Sequence, residues 1–326
     1  MKTRVSSLGQ GPGLAWKRST SSFPPGSLAE LQEWTGGKTE PPEPPWHGEV
    51  DFQQWNTIGW GITDDGILCI KPWNGDTGET GSTITDEVPW YDQASKIRKV
   101  ESTGTIALNE DSKNLFSDCS DLTDLAGLAD WNVSNVASMS GMFYGCSSLT
   151  DLTGLSGWNV SNAMYMGSMF YDCSSLTDLT ALEDWNVSSV ESMGNMFYNC
   201  SSLTDLTALE DWNVSNVEYM RDMFYGCSSL TDLSAIKNWN VLNVNSMDSM
   251  FYDCSSIQRI GIPSIANGGQ KFVENADRSG IAYALPWIIS EEDESMRSYT
   301  WDNLNTEMTT NPERFESGTV WVKEAE

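Results

Sequence analysis

"MFYGCSSLTDL" occupies residues 142–152, and nearly the same eleven letters return at residues 169, 196 and 223. Each copy begins 27 residues after the one before it. A fixed period of about 20 to 50 residues is the sequence signature of repeat architectures, in which each unit contacts only its neighbours. The sequence therefore predicts a solenoid in which every repeat forms one coil.

The period places the same apolar residue types in register from repeat to repeat. One column holds tryptophan and another holds phenylalanine, and they comprise Trp131, Trp158, Trp185, Trp212 and Trp239 and Phe116, Phe143, Phe170, Phe197, Phe224 and Phe251. Leucines fill three further columns, as at Leu149, Leu152 and Leu155. No single coil can bury these side chains, so each is expected to gain about 1.5–3 kcal/mol when a neighbouring coil covers it.

Six of the seven cysteines follow the same period, at Cys119, Cys146, Cys173, Cys200, Cys227 and Cys254. This spacing matches neither the CxxC pairs of zinc sites nor the clustered cysteines of a small disulfide scaffold. We expect buried free thiols that act as small apolar residues. Cys69 lies outside the series.

Within a repeat, "SSLTDL" reads as one strand of a parallel sheet built across coils. The segment "SNVASMSGMFYGC" shows the apolar spacing of an amphipathic helix, at Val136, Met139, Phe143 and Cys146. Ser134 is placed as the N-cap of that helix. Strands pack about 4.8 Å apart and helices about 8–10 Å apart, so the strands are expected on the concave side.

The repeats resemble those of the BspA-like leucine-rich repeat surface proteins of bacteria (DUF285-type repeats), which carry "MFYGCSSLTSLDLSNWDTSNVTNM"-like text. The resemblance covers residues 116–260, although the leucine spacing here is Leu-x-x-Leu-x-x-Leu instead of Leu-x-x-Leu-x-Leu. It implies surface display and adhesion to host glycans, matrix proteins or other cells. With the strand and helix predictions, it places the chain in the α/β class. The expected fold is a right-handed leucine-rich-repeat-like solenoid with a parallel sheet on the concave side, short helices on the convex side and small capping regions.

Four regions are expected. Residues 1–48 read as an extended tether or anchor with the proline-rich spacer "EPPEPPW" at its end. Residues 49–115 read as a β-rich N-terminal cap with a hairpin around the turn "DDG". The solenoid spans residues 116–260, and residues 261–326 form a C-terminal cap.

The net charge of −28 speaks against nucleic acid and anionic membranes as partners, because both would repel so acidic a surface. No apolar run approaches the length of a membrane span, and the first residues do not read as a secretory signal. With His47 as the only histidine, Ser-His-Asp, Cys-His and multi-histidine metal sites cannot be assembled. We expect no cofactor and no enzyme activity, although paired carboxylates could still serve a glycosidase.

Two columns are candidates for binding. The aspartates Asp124, Asp151, Asp178, Asp205 and Asp232 each precede an inward leucine, so their side chains should point outward from the sheet. They could bind calcium or a basic or hydroxyl-rich ligand, or simply form a solvated acidic face. The tyrosines Tyr144, Tyr171, Tyr198, Tyr225 and Tyr252 lie off the buried stripe. They could contact sugars or proteins, or lean on one another.

The first functional hypothesis is a phage virion fibre or decoration protein, attached to a capsid or tail through residues 1–48, whose repeats bind host glycans or proteins. The alternative is a bacterial cell-surface adhesin, and the third hypothesis is a glycan-degrading enzyme. A homo-oligomer is compatible with the first two.

Overall fold

The computed structural model describes residues 50–81, 88–247, 249–257, 259–261, 289–290 and 320–322. All of them belong to the unit Pro44–Glu326. The predicted tether with its spacer and His47, and most of the predicted C-terminal cap, lie outside the described residues. In the part of the chain that is described, no helix is both long and apolar enough to cross a bilayer.

Residues before the repeats form two small sheets and one 3₁₀ helix, η1 (Tyr91–Lys96). Their strands are β1 (Gln53–Trp55), β2 (Ile58–Ile62), β3 (Ile67–Pro72), β4 (Thr77–Glu79), β5 (Lys99–Ser102) and β6 (Thr105–Ala107). The first sheet has the order β1-β2-β3-β5, with β3 and β5 parallel, and β4 pairs with β6 in parallel. The predicted hairpin is confirmed, because β2 and β3 are antiparallel and their turn contains Gly66 at a φ of 81°.

Consecutive 27-residue repeats lie against one another. The phenylalanine rings stack in one file, with centroids 5.4–5.7 Å apart from Phe116 to Phe251. Backbone hydrogen bonds join the same repeats, as where the amides of Phe143 and Gly145 donate to the carbonyls of Met169 and Tyr171. Each repeat is therefore held to the next by both ring contacts and main-chain bonds.

The secondary structure within a repeat differs from the prediction, both at the predicted strand and at the predicted helix. "SSLTDL" forms no strand except at β7 (Asp232–Leu233), and a short 3₁₀ helix follows it in each repeat. These helices are η2 (Ala126–Leu128), η3 (Thr153–Leu155), η4 (Thr180–Leu182), η5 (Thr207–Leu209) and η6 (Ser234–Asn238). A column of parallel bridges lies instead inside the predicted helix; this bridge column is formed by Asp111, Ser138, Tyr165, Ser192, Tyr219 and Ser246.

The predicted helix is wrong because its backbone turns left-handed at two positions in every repeat. Gly141 and Gly145 have φ values of 64° and 72°. Gly226 occupies the second position at a φ of 72°, and elsewhere the other repeats place non-glycine residues at positive φ, namely Asn114, Ser168, Asn195, Asp222 and Ser249, and Asp118, Asp172, Asn199 and Asp253. An α-helix cannot pass through such a residue, so the segment becomes successive tight turns. In these turns the amides of Met142 and Cys146 bond to carbonyls three residues earlier.

The predicted core columns are confirmed as buried, and one continuous cluster extends from Trp55 to Ile257. The indole N–H of Trp158 donates to the carbonyl of Leu128 in the previous repeat at 2.9 Å, so the polar end of the ring is also satisfied. The cysteines are confirmed as free and buried. Cys146 Sγ lies 3.2 Å from the Phe116 carbonyl oxygen, and burial raises the pKa of this thiol well above its ordinary value.

A third sheet begins within the last repeats and has the order β7-β8-β10-β9. Its other strands are β8 (Arg259–Gly261), β9 (Ile289–Ser290) and β10 (Val320–Val322). β7 pairs with β8 in parallel, and β10 is antiparallel to both β8 and β9. The repeats are thus followed by backbone pairing from the C-terminal part of the chain.

Candidate functional site

The aspartate column holds the backbone at the start of the 3₁₀ helices. Oδ1 of each aspartate accepts a hydrogen bond from the amide two residues later, as from Thr153 to Asp151 at 3.0 Å. The same bond is made by Asp124, Asp178, Asp205 and Asp232. Aspartate suits this turn because its short carboxylate reaches its own backbone. A local structural role therefore explains why the residue recurs.

The column is partly solvent-exposed, and its members differ in their other contacts. Asp124 forms an ion pair with Lys99 at 3.3 Å, and Lys99 also pairs with Glu101 at 3.1 Å. At Asp178, the Thr180 hydroxyl donates a second hydrogen bond, and this bond together with the Thr180 amide lowers the pKa of the carboxyl group. Opposite charge and hydrogen-bond donors both favour the ionised carboxylate.

A shallow depression of about 260 Å³ brings two members of the column together. Asp178 and Asp205 line it with Glu183 and with threonines from the same two repeats. In the described part of the chain, no group of three or more His, Cys, Asp or Glu side chains could hold a metal ion. Calcium binding by this column, or binding of a basic or hydroxyl-rich ligand, stays a prediction from sequence.

Asp205→Ala is expected to lower the free energy of unfolding by about 0.5–2 kcal/mol, because the Thr207 amide loses its acceptor at the start of η5. Asp205→Asn should stay within a few tenths of a kcal/mol of the wild type, since its amide oxygen accepts the same bond. Urea denaturation of the three proteins measures both changes. Equal losses in the two variants would contradict the turn-holding role.

The tyrosine column forms a ladder of stacked rings. Neighbouring centroids are 4.4–4.9 Å apart and the ring planes are within 11° of parallel, from Tyr144 through Tyr171, Tyr198 and Tyr225 to Tyr252. All five side chains are half-buried. The rings lean on one another, which was one of the two expectations from sequence. Their faces inside the ladder are covered, so a ligand would meet mainly ring edges and hydroxyl groups.

Stacking changes the acidity of the ladder. Partial burial, with the neighbouring Tyr198 and Asp172, raises the pKa of Tyr171 to about 12, and the pKa of Tyr225 is raised for similar reasons. A negative phenolate would be poorly solvated there and repelled by nearby negative charge. The ladder therefore favours neutral phenols over a wider pH range than free tyrosine does.

The stability of the protein is expected to fall between about pH 10 and pH 12, because the Tyr171 phenol binds its proton more tightly in the folded state than in the unfolded state. The stabilisation from the protonated Tyr171 phenol is fully present below about pH 10 and is lost as the pH rises through about 12. Urea midpoints measured across this range, with tyrosinate absorbance, test the expectation. Tyr171→Phe should reduce the slope, whereas Tyr219→Phe, outside the ladder, should keep it.

Sequence reasoning missed two exposed tyrosines in the bridge column. Tyr165 is 42% exposed and Tyr219 is 50% exposed. Serine fills the same position at Ser138, Ser192 and Ser246. The signal in the sequence was tyrosine at these two positions, where other repeats carry serine. Only residue types that recur in every repeat were assigned to columns.

The comparisons with known proteins concern the repeats. Residues 110–209 and 177–262 match the model of a family described as "Mycoplasma protein of unknown function, DUF285". No curated protein matches the chain. Among solved structures, the chain is similar to a leucine-rich cell surface protein from Faecalibacterium prausnitzii, at 11% identity over 71% of this chain and 98% of that one. The TM-score is 0.17, so this likeness supports no statement about the fold.

Proposed function

Since this is a BspA-like repeat protein, whose DUF285 repeats span residues 110–262, we propose that it is a non-enzymatic adhesion protein displayed on a bacterial cell surface. The observation that carries the proposal is the repetition of the partly exposed aspartate and tyrosine columns on repeats joined by main-chain hydrogen bonds. An active site needs different residues at defined places, whereas a repeated surface suits multivalent binding to a partner. Its partner would be a surface glycan or protein of a host or of another cell.

The virion hypothesis gains no support from the comparisons, which contain no phage protein. Its motivation was the predicted tether at residues 1–48, and that segment would equally anchor the repeats to a cell. The bacterial alternative therefore takes its place. Nothing specific favours the third hypothesis, a glycan-degrading enzyme.

For the fold we retain the right-handed solenoid over residues 116–260, capped by residues 49–115 and 261–326. Its support is the continuous file of phenylalanine rings and the hydrogen bonds between consecutive repeats. The helix layer of the original expectation is replaced by turns and short 3₁₀ helices.

Antibodies against the full chain test the location. Immunogold labelling of intact producing cells should decorate their outer surface, and beads coated with the full chain should adhere to target cells more than beads coated with albumin do. Labelling confined to purified phage particles would support the virion hypothesis instead. Sugar release from capsule or mucin by the purified chain would contradict a non-enzymatic role.

A further inference from the structure

Tyr165 and Tyr219 differ from the tyrosine ladder in what covers their rings. Each ladder ring stacks on a neighbour at 4.4–4.9 Å. Within the described part of the chain, neither Tyr165 nor Tyr219 stacks on another aromatic ring, and both are exposed. Tyrosine is enriched at protein interfaces, because its ring gives apolar contact area and its hydroxyl group stays hydrated. The faces of these two rings are therefore accessible to a partner.

The backbone fixes both tyrosines firmly. The Tyr165 carbonyl accepts from the Met139 amide at 2.8 Å, and the Tyr219 carbonyl accepts from the Met193 amide at 2.8 Å. Ser192 bridges to both tyrosines from the repeat between them. Consecutive repeats in this part of the array are 5.5 Å apart at their phenylalanine rings. The two tyrosines therefore lie two repeat spacings apart.

Small residues lie between the two tyrosines. Ser192 carries only a hydroxymethyl group, and Gly167 and Gly194 lie two residues after Tyr165 and Ser192. A Cβ atom at Gly167 would lie 3.9 Å from Ser192 Oγ, so this glycine leaves the surface beside Ser192 without a further side chain. We call the surface formed by Tyr165, Gly167, Ser192, Gly194 and Tyr219 the two-tyrosine face.

The charge around this face is negative. Glu191 and Glu218 are exposed and directly precede Ser192 and Tyr219. The guanidinium of Arg221 pairs with the Asp222 carboxylate at 3.0 Å, which offsets its positive charge. The chain as a whole carries a net charge of −28. Both an aromatic ring face and a carboxylate attract cations.

We infer that the two-tyrosine face binds a Lys/Arg-rich segment of a partner protein, with cationic side chains over the two rings and the carboxylates of Glu191 and Glu218 beside them. Arginine suits the site best, because its planar guanidinium stacks on an aromatic face and is weakly hydrated. The inference rests on the proposed adhesive function and names the partner class and the face that meets it.

The test uses the full chain and a fluorescein-labelled synthetic peptide that alternates arginine and glycine. Tyr165→Ser with Tyr219→Ser gives these repeats the serine that Ser138, Ser192 and Ser246 already carry, so folding should be preserved, and circular dichroism checks it. Fluorescence anisotropy at physiological ionic strength should show a Kd about 5- to 30-fold higher for this double variant, since each exposed cation–π contact is modest.

Matched charge variants separate the face from the general acidity of the protein. Glu191→Gln with Glu218→Gln and Asp184→Asn with Asp211→Asn each remove two exposed carboxylates from the same two repeats. Only the glutamate pair should raise the Kd clearly, because Glu191 and Glu218 directly precede bridge-column residues, whereas Asp184 and Asp211 lie seven residues earlier in each repeat.

Three outcomes would overturn the inference: wild-type affinity in the double tyrosine variant, equal weakening by the two charge variants, or loss of neutral oligosaccharide binding in the tyrosine variant while peptide binding persists. None of them bears on whether beads coated with the wild-type chain adhere to cells. A failure of this inference is therefore distinguishable from a failure of the proposed function.

Discussion

Phe197→Ala is expected to lower the free energy of unfolding by about 3–5 kcal/mol. The Phe197 ring is fully buried between Phe170 and Phe224, with centroids 5.5 Å away on each side. Its removal loses two ring contacts and leaves a cavity. The neighbouring repeats cannot close that cavity easily, because main-chain bonds such as Phe197 amide to Met223 carbonyl fix their spacing. Urea denaturation followed by tryptophan fluorescence measures the loss.

Tyr219→Ala provides the control, since its side chain is half exposed and outside the core. This variant should stay within about 0.5 kcal/mol of the wild type, as surface substitutions usually do. A loss below about 1 kcal/mol in Phe197→Ala would show that the phenylalanine file does not carry the stability we assign to it.

Deleting residues 173–199 is expected to leave a cooperatively folded protein, whereas deleting residues 173–185 is expected to break the array. The first deletion removes one whole 27-residue period and joins Asp172 to Cys200. Every column then continues in register, with one interface fewer. The second removes about half a repeat, so the remaining half can supply neither its share of the rings nor the hydrogen bonds to both neighbours.

Near-ultraviolet circular dichroism and urea denaturation compare the two deletions with the wild type. The whole-repeat deletion should keep the aromatic signal per tryptophan and a single transition. The half-repeat deletion should lose much of the signal or unfold in two steps. If both deletions behave alike, the repeats are not the units that stabilise the fold.

The period in the sequence determined much of this structure, and the backbone conformation determined the rest. The tryptophan, phenylalanine, leucine and cysteine columns could be assigned to the core because only a neighbouring copy can bury them. The helix at Val136–Cys146 could not be distinguished from turns by apolar spacing, since tight turns can bury the same positions. Gly141 and Gly145, and the Asn, Asp and Ser residues that replace them in other repeats, were the available signal, because these types tolerate positive φ.

The contacts of the candidate site were less predictable, because they too depend on the backbone conformation. The aspartates were recognised as outward, but their hydrogen bonds to Thr153, Thr180 and Thr207 depend on a turn that the strand prediction excluded. The tyrosine ladder followed from the period, although a ladder and a row of separate rings have identical sequences. Tyr165 and Tyr219 fall outside the regular pattern, so the period alone could not identify them as candidates.

The bridge column connects repeats through main-chain atoms. Asp, Ser and Tyr all occupy it in this one chain. If this column meets the partner as inferred, substitutions at its exposed members Tyr165 and Tyr219 change what the molecule recognises, one repeat at a time, while the packed core is inherited unchanged. A lineage facing a changing partner could diversify this column quickly without first acquiring compensating mutations in the core.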